Sequence, residues 1–282
     1  MHRTIFIEGL PGSGKSTFAR RLATDLREAG YQVASYIEGE LHPLDLAWCA
    51  ILSQEELDGI CETFPTLAEE LRAIASFEDD QYIVPYTRVR HPDTNHTFYD
   101  TLAQYEIYRT EDLNLFLDKH LRRWRRFQDT QDPNTIYVFE CVFLQNHINE
   151  LILKHDATFD RMRPYFQQLI DAISRTNPLI LSIRQTDIET TLRRLIEERR
   201  TTDPSRYRDW IDNVTRYLEG TRHGRRLGFV GEDGMLRYEH YRQRLEQELL
   251  DHLEVDTVRF DLDQDYESVY EAIQQTVFQR LT

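Results

Sequence analysis

The sequence predicts an α/β fold of three layers: a five-stranded parallel sheet between two layers of helices, carrying a large helical insertion. Three observations predict it. Short apolar, β-branched and aromatic runs alternate with helical patterns along the chain. The first two such runs are joined by a helix, and that crossover makes a right-handed unit with parallel strands. A glycine-rich segment lies between the first run and the first helix, where a parallel sheet places its ligand-binding loops.

Arg3–Glu8 is a strand that meets Gly9, as a buried strand entering a tight turn does. From Lys15 to Ala29, Phe18, Ala19, Leu22, Ala23 and Leu26 recur at helical spacing, and Gly30 sits where a C-terminal cap is favoured. Gln32–Ile37 is the second strand, followed at once by Glu38 and Glu40. Residues 41–135 read as a mostly helical, substrate-side insertion. It has a capping box at Ser53-Gln-Glu-Glu56, extended or irregular stretches at Tyr82–Tyr86 and around His91-Pro92, and a long amphipathic helix opening near Thr110 and running through Leu113, Leu117 and Leu121. Ile136–Glu140, Pro178–Ile183 and Thr257–Asp261 complete the strands. Helices are expected after Thr186-Asp-Ile-Glu189, over Leu236–Leu253 and over Tyr266–Leu281. No linker divides the chain, so residues 1–282 are expected to form one domain, with 187–234 as a lid-like region.

Composition is that of a globular protein, 40% hydrophobic and 29% charged. The formal net charge of −15 argues against a nucleic acid polymer as partner, because a phosphate backbone would meet net repulsion. Cys49, Cys61 and Cys141 show no metal-binding spacing and suit a reducing compartment. The first strand begins at Arg3 and no apolar run reaches membrane-spanning length, so a cytoplasmic location and no membrane partner are expected. A homodimer is compatible with all of this.

Gly9-Leu-Pro-Gly-Ser-Gly-Lys15-Ser16 fits G-x-x-x-x-G-K-[ST], the P-loop or Walker A pattern, in its required place between a strand and a helix. Glycines let successive N–H groups turn toward phosphate oxygens, the helix N-terminus adds positive potential, and Lys15 reaches the β- and γ-phosphates. Gly9, Pro11, Gly12, Ser13, Gly14, Lys15, Ser16 and Thr17 are the predicted nucleotide-binding residues, with Ser16 on Mg²⁺ and ATP as the nucleotide. The fold expectation is thereby a P-loop NTPase.

Ile7-Glu-Gly-Leu-Pro-Gly-Ser-Gly-Lys-Ser-Thr17 resembles the opening of the nucleoside and nucleotide kinase group of P-loop kinases. The resemblance implies a general base just after the second strand, where Glu38 stands and Glu40 is the alternative, and a strand-end glutamate that positions Mg²⁺, matched by Glu140. An arginine follows that glutamate in the family; Cys141 stands there in this chain. The group also supplies arginines from a lid after the fourth strand, where Arg193, Arg194, Arg199 and Arg200 lie, with Arg193 taken as the catalytic one. Arg193 and Arg200 share a helix face, whereas Arg194 lies about 100° round from Arg193. Arg222, Arg225 and Arg226 among Gly220, Gly224 and Gly228 read as a second mobile group. Arg122, Arg123 and Arg126 around Trp124 read as substrate-binding cations, beside Glu38 on the acceptor side. Tyr36, Trp48, Tyr82, Tyr86, Phe98, Tyr99 and Tyr105 are candidate walls for a ring-bearing acceptor.

The chemistry expected from these residues is ATP- and Mg²⁺-dependent phosphoryl transfer to a small molecule such as a nucleoside, nucleotide or antibiotic-like acceptor. Two rivals use the same loop: a regulatory NTPase or nucleotide switch signalling to a protein partner, and a kinase-like protein that captures a small molecule without turnover.

Overall fold

The computed structural model describes residues 1–38, 41–202, 209–262 and 265–281. The chain divides into two compact units, Met1–Glu38 with Trp124–Thr282, and Gly39–Arg123. The first carries the parallel sheet: β1 (Thr4–Gly9), β2 (Gln32–Tyr36), β3 (Thr135–Glu140), β4 (Pro178–Gln185) and β5 (Asp256–Leu262). Their order is β2-β3-β1-β4-β5, and every pairing is parallel. Strands β1 and β3 are buried along their whole length, as expected of central strands covered on both faces.

Helices of this unit include α1 (Lys15–Glu28), α2 (Phe159–Ala172), α3 (Ile188–Glu198), α4 (Trp210–Gly220), α5 (Arg222–Leu227), α6 (Gly231–Asp251) and α7 (Tyr266–Leu281). The alternation of side chains along β1 separates two cores. Ile5 and Ile7 pack with Phe18 and Leu22 of α1, Val138 of β3, Leu181 of β4 and Ile273 of α7. On the other face Phe6 stacks on Phe139 at 5.6 Å and on Trp124 at 5.5 Å, with Phe143 alongside. Each fully buried ring or aliphatic chain here contributes about 1.5–3 kcal/mol. Trp124 is therefore a core residue, not the centre of a ligand site.

The helix predicted after Thr186 starts one residue later than its sequence signal. Asp187 is the N-cap, accepting from the Thr190 amide, while the Thr186 hydroxyl donates to the Leu262 carbonyl. Gly224 lies inside α5, where an added Cβ would meet the Leu218 carbonyl at 1.9 Å, and Gly228 is the left-handed C-cap of that helix. The segment expected to be a glycine-punctuated mobile loop is thus helical.

The second unit has its own core around Leu57, Ile60, Leu71, Phe98 and Leu102. The capping box at Ser53 and Glu56 is formed. Besides its helices the unit carries a three-stranded antiparallel sheet of Ala50–Leu52, Gln81–Val84 and Ser76–Glu78. Asp79 and Asp80, both at positive φ, make the two-residue turn between the last two strands, the conformation a tight hairpin requires.

Candidate functional site

The loop after β1 is shaped by three glycines at positive φ: Gly9 (155°), Gly12 (80°) and Gly14 (83°). An added Cβ at Gly9 would sit 2.5 Å from the Ile183 carbonyl oxygen, and one at Gly14 would sit 2.6 Å from the Tyr266 ring, so both positions exclude side chains. Gly14 is the N-cap of α1 and offers no side-chain acceptor, which leaves first-turn amides without a capping partner. Such an end binds anions through its N–H groups and its dipole. Lys15 is buried and donates to the Leu10 carbonyl at 2.9 Å, spanning the loop it would leave to meet a phosphate. Burial opposes its charge, but Cys141, Glu140 and Glu38 outweigh burial and hold its pKa above the ordinary lysine value.

Strands β2 and β3 pair in register, so their C-terminal ends bring Glu38 and Glu140 together. Glu140 Oε2 accepts from the Glu38 amide at 2.8 Å, its Oε1 accepts from the Cys141 thiol at 2.9 Å, and Glu38 Oε1 accepts from Gln145 Nε2 at 3.1 Å. Ligating atoms of Glu38, Glu140 and Cys141 lie within 4.8 Å of one another. Burial pushes the Cys141 thiol well above its usual range, so it remains a protonated donor to Glu140. Glu140 and Ser16 both line the cleft and offer the hard oxygen donors that Mg²⁺ takes, whereas the thiol is a poor ligand for it. Cys141, at the position where the resemblance implies an arginine, donates to Glu140 instead.

Arg242 of α6, which the sequence pattern did not single out, is the buried cation behind the loop. It donates to Glu246 at 2.6 Å, to the Gly9 carbonyl at 3.3 Å and to Gln145 Oε1 at 3.2 Å, and Glu239 lies 4.0 Å away. Burial works against its charge, and Glu246 and Glu239 raise its pKa above the ordinary arginine value. Glu8 is buried one residue before the loop and accepts from the Phe143 amide at 2.7 Å. Burial pushes its carboxyl up to about 8, against the lowering effect of that amide.

The predicted arginines disperse. Arg193 is exposed and pairs with Glu189 at 2.7 Å, outside the cleft; Arg194 lines it, donating to the Gly12 carbonyl and to the Tyr266 hydroxyl. Arg199 also lines it and lies over the Trp210 ring at 5.1 Å, whereas Arg200 pairs with Glu197. Arg225 donates to the Gly220 carbonyl and Arg226 to Asp156, and Arg222 is exposed. Arg122 is spent on Asp118, and Arg123 is buried against Glu78 and the His42 carbonyl. Arg126 is exposed and does not line the cleft. Glu40 lies outside the described residues. Of the candidate aromatic walls, Tyr36 stacks on Phe139, Phe98 is buried in the second unit's core, and Tyr86 donates to Glu106. Tyr82, Tyr99 and Tyr105 pack against that core, and Trp48 is exposed.

The cleft has a volume of about 540 Å³. Pro11, Gly12, Gly14, Lys15, Ser16 and Thr17 of the loop, with Glu38, Glu140, Arg194 and Arg242, line it, together with faces of α4 and α6. An open parallel sheet with a phosphate-type loop, an invading lysine and a pair of carboxylates at the strand ends defines a P-loop α/β protein. The chain matches no family model and no curated protein. Solved structures it resembles include two of EHV4-TK, a herpesvirus thymidine kinase, in complex with TP4A and with TP5A. The first has a TM-score of 0.35 and 11% identity over 98% of this chain and 91% of that one. The second has a TM-score of 0.33 and 13% identity over 96% and 88%. Among the described residues no helix is long and apolar enough to cross a membrane.

Proposed function

We propose that this chain binds ATP with Mg²⁺ and transfers the γ-phosphoryl group to a small molecule. The observation that carries the proposal is the opening of three elements into one cleft: the uncapped first turn of α1 with Lys15, the Glu38–Glu140 oxygen pair, and Arg194 of α3. Lys15 and Arg194 stabilise the charge of the migrating group, and Glu38 orients and deprotonates the attacking hydroxyl. Glu140 and Ser16 hold Mg²⁺, whose chemistry there is neutralisation of the β- and γ-phosphate oxygens. Arg194 takes the role expected of Arg193, because it is the one of the pair that reaches the loop.

The test is acceptor-dependent appearance of a phosphorylated product, read as a mass shift of one phosphate in a metabolite mixture incubated with ATP, Mg²⁺ and protein. Lys15→Ala should lower that rate by about a hundredfold or more, and Glu38→Gln should lower it without weakening ATP binding. Phosphate release at an unchanged rate with every acceptor removed would support the nucleotide-switch alternative instead. Transfer that survives Lys15→Ala would remove the phosphotransfer reading.

A further inference from the structure

One end of the cleft is built from two helix faces. Trp210, Val214, Tyr217 and Leu218 recur at helical spacing on α4, and Met235, Tyr238, Glu239 and Arg242 do so on α6, with Asn149 and Leu153 beside them. The lining is aromatic and aliphatic apart from a few polar groups, and those are engaged with one another. Tyr238 donates to Asn149 at 2.5 Å, and Arg242 donates to Glu246 and Gln145. Glu239 is the exception: it is 3% exposed and its Oε2 has no hydrogen-bond partner. A buried acceptor left unmade carries a desolvation cost that a ligand donor would remove.

Charge points the same way. Arg242 serves two carboxylates, Glu246 at 2.6 Å and Glu239 at 4.0 Å, so one guanidinium faces two anions. Lys15 is held among Glu140 and Glu38. Glu239 is thus a surplus buried carboxylate beside aromatic rings, and one of those rings, Trp210, already carries a cation in Arg199. A carboxylate next to aromatic faces is the chemistry that recognises an ammonium group.

We infer that the cleft takes an amine-bearing alcohol, its protonated amine donating to Glu239 against the Tyr217 and Tyr238 wall. The amine contact stands on the cleft alone; that the alcohol is the phosphoryl acceptor rests on the proposed function. Burial raises the Glu239 carboxyl to about 7, opposed by Arg242 and Lys15 and reinforced by Glu246, so acid should weaken the contact.

The experiment is calorimetric titration of the protein loaded with ADP and Mg²⁺, using matched pairs: phenylethanolamine against phenylethanediol, and glucosamine against glucose. The amine of a pair should bind about tenfold or more tightly than its neutral partner, and the difference should vanish in Glu239→Gln. Affinity for the amine should fall as pH drops below about 7 in the parent protein and not in that variant. Tyr217→Ala, at a position 49% exposed and so safe for folding, should weaken both members while keeping the preference for the amine. Equal binding of the two members, no binding of either amine, or a preference that survives Glu239→Gln overturns the inference. Amine binding through Glu239 with no phosphate transferred to any amine, while the metabolite mixture still yields a phosphorylated product, would overturn the acceptor assignment and leave both the amine site and the phosphotransfer reading standing.

Discussion

Replacing Arg242 by methionine tests how much the buried charge behind the phosphate loop holds in place. The guanidinium is 1% exposed and lies 2.6 Å from Glu246 and 4.0 Å from Glu239, both of them buried. Methionine retains much of the side chain's volume but leaves Glu246 and Glu239 without their cation and removes the donor to the Gly9 carbonyl. Removing one partner of a buried pair costs about 3–5 kcal/mol. For a unit of this size, about 2–4 °C per kcal/mol turns that into a melting temperature lower by about 10 °C. The assay is thermal unfolding followed by circular dichroism at pH 7.5, and the drop should persist in high salt because the pair is buried. The triple variant Arg242→Met, Glu246→Leu and Glu239→Gln should recover most of the loss, since it leaves neither carboxylate stranded. A single variant melting within about 2 °C of the parent would refute the account of Arg242 as the counter-charge of this cluster.

Stability should also vary with pH through Glu8. Its folded pKa, about 8, lies above the ordinary 4.5, so the folded state binds the extra proton. That contribution is complete below pH 4.5 and is lost as pH rises through about 8, and Glu8→Gln should flatten the decline in a series of urea unfolding curves. Gly14→Ala should impair ATP binding as well as stability, because φ is +83° and the new methyl would meet the Tyr266 ring; unchanged nucleotide affinity by titration would contradict it. Arg194→Ala should slow phosphoryl transfer about tenfold or more, whereas Arg193→Ala should leave it within about twofold; equal effects in steady-state kinetics would show that both, or neither, reach the transferred group.

The strands were legible because each is a short apolar run with a boundary signal, and the phosphate loop because its glycines and lysine are consecutive in the chain. Glu38 and Glu140 were legible for a related reason: they end adjacent parallel strands, so strand order alone carries them to one place. Of the insertion's sheet only the stretch at Tyr82 was read as extended or irregular; the pairing was missed because its strands are three or four residues long and turn on Asp79-Asp80, a weaker signal than a glycine-containing hairpin.

What local pattern determines, then, is the sheet, the loop and the acids at the strand ends. What only packing decides is which side of a helix faces the cleft. Arg193 and Arg194 are neighbours with the same chemistry, and the burial of Leu192, Leu195 and Ile196 sets the rotation of α3 that takes Arg194 to the loop and leaves Arg193 with Glu189. Arg122-Arg-Trp-Arg-Arg126 read as a ligand-binding cluster until Trp124 entered the core and Glu78 claimed Arg123. Conversely Glu239, Arg242 and Glu246 have the spacing of an ordinary solvated helix face, and only burial turns Glu239 and Arg242 into the charged floor of the cleft, with Glu246 behind them as the partner of Arg242. A charge in water is screened and cheap, so its position in the sequence says little; removed from water it must find a partner, and the tertiary structure alone determines which.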